Sequence, residues 1–176
     1  MIAKDFSAQD IDTRVEWINN PAINNSMYFE LPATVEKTLK WYESNINNNT
    51  RKDFSFFNED RLVAMGGLVS IDHTSKHAEL YVMVNPKSHG QGWGKQSTQW
   101  LLFYGFTYLN LNKVYLFTDG ENVSGYSLYE SIGMTNEGTM RQHKFKDGSL
   151  KDRRIYSILA TEWKSLDYIE AFKYAT

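Results

Sequence analysis

The sequence predicts one α/β domain with a mixed, mainly antiparallel sheet flanked by helices, and three observations predict it. The apolar period is helical before residue 50, alternates between Phe54 and Val84, and turns helical again after Gly94. A glycine-rich loop joins that alternating region to the next helical one. The 176 residues suit a single domain, which buries roughly 70% of its unfolded surface. With no cysteine in the chain, the core must hold the fold without disulfides.

Each element follows in order. Ser7-x-x-Asp10 has the form of a capping box, and Ile11, Val15 and Ile18 at i, i+4 and i+7 predict a helix to about Asn19, ended by Pro21. Thr34 as N-cap, Glu36 in the first turn and the stripe Val35, Leu39, Tyr42 and Ile46 predict a second helix, closed by the asparagines from Asn45 to Asn49. Phe54 to Phe57, Arg61 to Ile71 and Ala78 to Val84 carry the aromatic and β-branched content of strands, with turns at Asn58 to Asp60 and Asp72 to Lys76. A long helix is expected from Lys95 to about Leu109, a strand from Lys113 to Thr118, and a helix from Asn122 to Ile132 with Gly133 as its left-handed cap. Two last strands, Thr139 to Phe145 and Arg153 to Ala160, flank the turn Lys146-Asp147-Gly148-Ser149. Trp163, Leu166, Ile169 and Phe172 predict a helical tail over 161–176, beyond a domain spanning 1–160.

Charge and composition exclude several classes. Nineteen Lys and Arg against 21 Asp and Glu leave a formal charge of −2 and no basic tract, so a phosphate-neutralising nucleic-acid binder is not expected. The apolar run Leu101 to Phe106 is too short to span a bilayer and the polar N-terminus has no signal-peptide core, so a cytoplasmic protein without a membrane partner is expected. Absent cysteine also removes a thiol nucleophile and any Cys-ligated metal, and no metal site is expected. Aromatic residues, 15% of the chain, are the one unusual figure.

The loop between Val84 and the long helix is a device for anions: small residues turn successive N–H groups toward one point, and the helix N-terminus adds partial positive charge. Its spacing fits neither usual nucleotide loop. Gln96 follows Lys95 where a triphosphate loop needs Ser or Thr, and Gly90, Gly92 and Gly94 alternate rather than forming the dinucleotide fingerprint. The run Asn85-Pro86-Lys87-Ser88-His89-Gly90-Gln91-Gly92-Trp93-Gly94 instead resembles the acetyl-coenzyme A loop of the GNAT N-acetyltransferases, Gln/Arg-x-x-Gly-x-Gly/Ala, with His89, Gly92 and Gly94 in the defined places. Asn122, Tyr129, Gly133 and Met134 are similar in spacing to a second GNAT hallmark, Asn-x-x-Ala-x-x-x-Tyr-x-x-x-Gly-Phe/Met, with Gly125 in place of Ala. The resemblance runs from about residue 2 to residue 160.

It implies the GNAT fold and a direct transfer of acetyl from acetyl-coenzyme A to an amine, with no metal. Backbone N–H groups around Val82 and Val84 would polarise the thioester carbonyl. Gly90, Gln91, Gly92, Trp93, Gly94 and Lys95 would bind the pyrophosphate, and Asn122 would contact the pantetheine arm or the thiolate region. Tyr129 would protonate the leaving thiolate. A phenol of pKa about 10 facing a thiol of about 8.5 makes full transfer uphill by about 2 kcal/mol. The alternative for Tyr129 is a packed ring. Glu79 is the leading candidate for the base, with His73, His77 and Tyr81 as rivals and a solvated surface role as the plain alternative.

The acceptor side is expected in the N-terminal third. Arg14-x-x-Trp17-x-Asn19-x-Pro21-x-Ile23, Met27, Trp41-Tyr42 and Leu68-x-x-Ile71-Asp72 resemble the branch of nucleotide-linked amino-sugar and ribosomal-protein alanine acetyltransferases. That branch implies an amino-sugar nucleotide seated on Trp17, Tyr28 and Trp41, with Arg14 or Arg51 on its diphosphate; the alternative for each ring is the core. A peptide N-terminus and a polyamine are the other acceptors, although a polyamine favours an acidic groove and the acids are scattered. From another class, a silent coenzyme A-binding module is opposed by the presence of Asn122 and Tyr129. A homodimer is left open.

Overall fold

The computed structural model describes residues 1–163 and 173–175, and its centre is an eight-stranded sheet in the order β6-β7-β5-β4-β3-β2-β1-β8. The strands are β1 (Ile2–Asp5), β2 (Lys52–Asn58), β3 (Arg61–Asp72), β4 (His77–Val84), β5 (Lys113–Asp119), β6 (Thr135–Lys146), β7 (Ser149–Leu159) and β8 (Lys173–Ala175). β4 pairs parallel with β5 and β1 with β8, and the other neighbours are antiparallel, as the mixed sheet predicted. The helices are α1 (Ile11–Asn19), α2 (Pro21–Asn24), α3 (Val35–Asn45), α4 (Trp93–Thr107) and α5 (Val123–Ser131).

Two packed layers cover the sheet. Trp100, Leu101 and Leu102 of α4 bury against Phe54, Phe56, Leu68 and Leu80, with Tyr129 and Ile132 packed beside them. Phe6, Ile11, Trp17, Ile18 and Ile23 form a second cluster with Met65 and Met83. This is a single domain of the expected class. Among the described residues no helix is long and apolar enough to cross a membrane.

Several boundaries and faces differ from expectation. Residues 8–10 form a 3₁₀ turn before α1, with the Ser7 N–H donating to Asp10 Oδ2 at 3.0 Å. Pro21 does not simply end a helix: Asn20 caps the short α2, accepting the Ala22 N–H at 2.9 Å, with Pro21 at its first position. β1 was not anticipated, since four residues give no period to recognise. Of the predicted stripe on α3, Val35 (48% exposed), Leu39 (38%) and Ile46 (61%) face outward, and Tyr42 packs inward. Trp41, outside that stripe, turns the helix together with Tyr42, each setting its ring edge-on to Phe6, because two large rings bury more apolar area than the aliphatic members. The β6–β7 hairpin starts earlier on both strands than predicted. Of the tail helix expected over 161–176, residues 164–172 and 176 lie outside the described residues; 160–162 form a turn and Lys173–Ala175 a strand, not a helix.

Candidate active site

β4 and β5 pair only from His77↔Lys113 to Glu79↔Tyr115 and then diverge, β5 continuing along β7. The gap so opened is the cleft. On one side lies a cavity of about 750 Å³ lined by Val82, Met83, Val84, the loop from Ser88 to Lys95 except Gln91, and Asn122. Gly90 and Gly92 have φ of 76° and 81°, the left-handed region glycine tolerates, and nothing lies within 4 Å of where a Cβ would stand on Gly90. Gly92 opens α4, so that helix's N-terminal N–H groups and Lys95 border the same space. An open cradle of backbone donors, a helix start and a nearby ammonium fit a pyrophosphate.

Asn122 caps α5, its Oδ1 accepting the Gly125 N–H at 3.1 Å and its Nδ2 donating to Thr118 Oγ1 at 3.2 Å. A Cβ on Gly125 would meet Asn122 Nδ2 at 2.6 Å, so an alanine there requires the Asn122 amide to shift. Gly133, at φ 89°, takes the left-handed cap conformation predicted for it.

A second cavity, about 320 Å³, lies deeper along the cleft and shares Ser26, Met27, Val82 and Asn122 with the first. Glu79, Tyr81, Tyr129, Arg14 and Arg153 are among its walls. Burial raises the Glu79 carboxyl above the ordinary glutamate range, against the pull of Arg153 and Lys144. Burial also pushes the Tyr129 phenol up to about 12. Tyr129 packs at 5.8 Å from the Tyr156 ring. The loop from Ser26 to Phe29 roofs this cavity and is tied across the cleft: the Tyr28 hydroxyl donates to Asp119 Oδ2 at 3.0 Å, and Lys146 Nζ donates to the Met27 carbonyl at 3.1 Å and to that of Asn24. Burial first, and the bond to Asp119 second, raise the Tyr28 phenol to about 12.

The structure brings Val82, Val84, His89, Gly90, Gly92, Trp93, Gly94, Lys95 and Asn122 to the first cavity, and Glu79, Tyr129, Arg14 and Tyr28 to the second. Others stand elsewhere. Gln91 does not line the cavity; its Oε1 accepts the Trp93 Nε1–H at 3.1 Å. His89 donates Nε2–H to the Val84 carbonyl at 3.1 Å, so its ring braces the loop. Trp17, placed by the sequence on an acceptor wall, is 3% exposed and lines neither cavity, because α1 turns it into the core with Ile18. Trp41 lies behind the second cavity, its ring 4.4 Å from the Arg14 guanidinium and 4.9 Å from that of Arg51. Of the rival bases, His73 is bonded to the Asn49 carbonyl on an outer turn, His77 stands beside Asp72, and Tyr81 donates to Asp53 Oδ1 at 2.5 Å. Sequence reasoning missed Arg153 and Lys144, which reach the cavity from the β6–β7 hairpin; only the inward register of that hairpin distinguishes them from surface cations. Among the described residues no group of three His, Cys, Asp or Glu is placed to hold a metal ion.

Residues 2–135 match the family model described as an acetyltransferase (GNAT) domain. A spermidine N(1)-acetyltransferase of Vibrio cholerae is 28% identical over 148 residues, covering 83% of this chain and 86% of that protein. Its counterpart in Escherichia coli K12 is 29% identical over 139 residues, 78% of this chain and 75% of that one. The crystal structure of a Vibrio cholerae spermidine N-acetyltransferase in complex with CoA and spermine superposes with a TM-score of 0.83 at 25% identity, over 91% of this chain and 95% of the other. The named relatives therefore act on spermidine, and the amino-sugar branch implied by the N-terminal residues gains no support from them.

Proposed function

The chain belongs to the GNAT acetyltransferase family and is an acetyl-CoA-dependent N-acetyltransferase, and from that premise we propose how its cleft performs the transfer to a small primary amine. Acetyl-CoA supplies an activated acyl group on a good leaving thiolate. The observation that carries the reading is the meeting of two cavities at Val82 and Asn122, one bordered by the glycine loop and the other by Glu79 and Tyr129. Direct transfer requires a donor channel and an acceptor channel that share one point.

Each residue then has a task. Gly90, Gly92 and Lys95 hold the diphosphate end, and β4 beyond Glu79, freed from β5, offers backbone N–H groups to an oxyanion. Glu79 takes the proton an ammonium must lose before it attacks, and its raised pKa makes it a stronger base than an exposed carboxylate. Tyr129 lines the same cavity and would donate a hydrogen bond there. With its phenol near 12 and a thiol near 8.5, complete proton transfer is uphill by about 5 kcal/mol, so its contribution is a hydrogen bond to developing thiolate charge, completed by solvent. The names of the relatives make a polyamine the first acceptor to try.

Thiol release from acetyl-CoA across a panel of amines tests the proposal. Tyr129→Phe is expected to lower kcat by about tenfold to a hundredfold while leaving the KM for acetyl-CoA within about twofold. Full activity in that variant would remove Tyr129 from the mechanism.

A further inference from the structure

The second cavity carries a charge pattern that bears on which amine it admits. Four cations line it, Arg14, Arg51, Lys144 and Arg153, against one carboxylate, Glu79. One is paired. Arg51 makes a bidentate pair with Asp53, at 2.6 and 3.0 Å, just behind the wall, whereas Arg153 and Lys144 feel the Glu79 charge at longer range, with no ion pair within 4.0 Å among the described residues. Arg14 is 4% exposed and has no carboxylate within 4.0 Å among the described residues. Its one hydrogen bond there is a long one, from Nη1 to the Tyr81 hydroxyl at 3.4 Å, while the Phe6, Phe29, Trp41 and Tyr81 rings surround it within 5.8 Å. Arg153 likewise gives one bond, from Nη2 to the Phe117 carbonyl at 3.2 Å, and its Nε is buried without a partner.

A guanidinium kept from water and held by rings and one long hydrogen bond is costly unless an anion completes it, since each arginine offers five donors in a rigid fork. A polycation entering this cavity would meet four cations, of which Arg51 alone is ion-paired among the described residues, and find only Glu79 in return. Resting on the acetyltransferase reading above, we infer that the acceptor is a primary amine whose body carries an anionic group, a phosphate or a carboxylate. That group binds Arg14 and the cations beside it while the amine reaches Glu79. The rings of Tyr28, Phe29 and Phe117 on the same walls suit a compact cyclic or planar body between the two charges.

Matched amines separate this from the polyamine reading. Calorimetric titrations of the CoA-loaded protein would compare glucosamine 6-phosphate with glucosamine, alanyl-alanine with its C-terminal amide, and spermidine with all four. The expected result is that, in at least one pair, the member bearing the phosphate or carboxylate binds about tenfold tighter or more than the member without it, and tighter than spermidine. Which pair shows the preference tells phosphate from carboxylate. Arg14→Met, which keeps the packed stem, and Lys144→Gln on the exposed rim should each shrink the preference at unchanged CoA affinity, and added salt should weaken it. Should Arg14→Met not fold, the wild-type pairs and Lys144→Gln still decide. Equal affinities within both pairs, undetectable binding of both members bearing the phosphate or carboxylate, or spermidine as the tightest ligand would overturn the inference. CoA binding and acetyl-CoA consumption with spermidine would leave the acetyltransferase reading standing in that event, whereas failure to bind CoA would remove the reading itself.

Discussion

At the scale of single residues, the cleft depends on what burial does to Glu79. Its carboxyl is raised by desolvation and pulled back by Arg153 and Lys144, so the ionised form is disfavoured in the folded protein but still reached. The rate should therefore climb with pH through a Glu79 ionisation above the ordinary glutamate value. Removing a cation shifts that limb in a definite direction: Arg153→Gln deletes a stabilising charge, raises the Glu79 pKa further and moves the acid limb of kcat/KM to higher pH. Glu79→Gln should abolish the limb and lower kcat/KM by about a hundredfold or more, leaving only the ionisation of the amine. Stability runs the other way. A carboxyl whose folded pKa exceeds its unfolded one stabilises the fold below the unfolded value and loses that contribution as pH rises through the folded value. At neutral pH, Glu79→Gln should thus raise Tm while lowering activity, and a variant with lower Tm and an intact acid limb would contradict the assignment. Glu79 could be selected from sequence because it lies near the start of a strand by the expected splay, but the influence on it of Arg153, 74 positions away, had no local signal.

Elements show where local pattern and packing part. The glycine loop, α4 and the cap at Gly133 were legible because backbone chemistry writes them into short stretches: alternating glycines, a helix start, a left-handed residue. α3 was legible as a helix but only partly as a face, since Val35, Leu39, Tyr42 and Ile46 keep period while Tyr42 and the neighbouring Trp41 pack inward. Trp17 on α1 carries the same lesson. Its aromatic ring near the acceptor half suggested a binding wall, yet it packs with Ile11, Ile18, Ile23 and Met83 and is 3% exposed. Trp17→Ala should accordingly act on stability, by about 3–5 kcal/mol, through lost burial and the cavity left behind. Thermal unfolding checks the loss. The folded fraction should keep its KM for the acceptor within about twofold, and a large KM change without a stability change would return Trp17 to the binding surface.

For the whole molecule, the fold's contribution is a place where two routes meet. β5 leaves β4 after Glu79, α4 and the glycine loop form one bank, and the Ser26 to Phe29 roof is tied by Tyr28 to Asp119 over the other. That convergence was only half legible: the donor side is contiguous in sequence, while the acceptor side is assembled from α1, the loop after α2, β4, β5 and the β6–β7 hairpin. The residues common to both cavities are Ser26, Met27, Val82 and Asn122. None is set up to carry an acyl group. Ser26 Oγ donates to the Ile23 carbonyl at 3.3 Å rather than to a base, the Asn122 amide is engaged in capping, and the chain has no cysteine. With no activated nucleophile among these shared residues, the direct transfer proposed above has acetyl pass while donor and acceptor are both bound. Initial-rate plots against acetyl-CoA at several amine concentrations should therefore intersect, and acetyl-CoA alone should leave no acetyl label on the protein. Parallel lines together with a labelled residue would show that the junction holds a nucleophile this geometry does not provide.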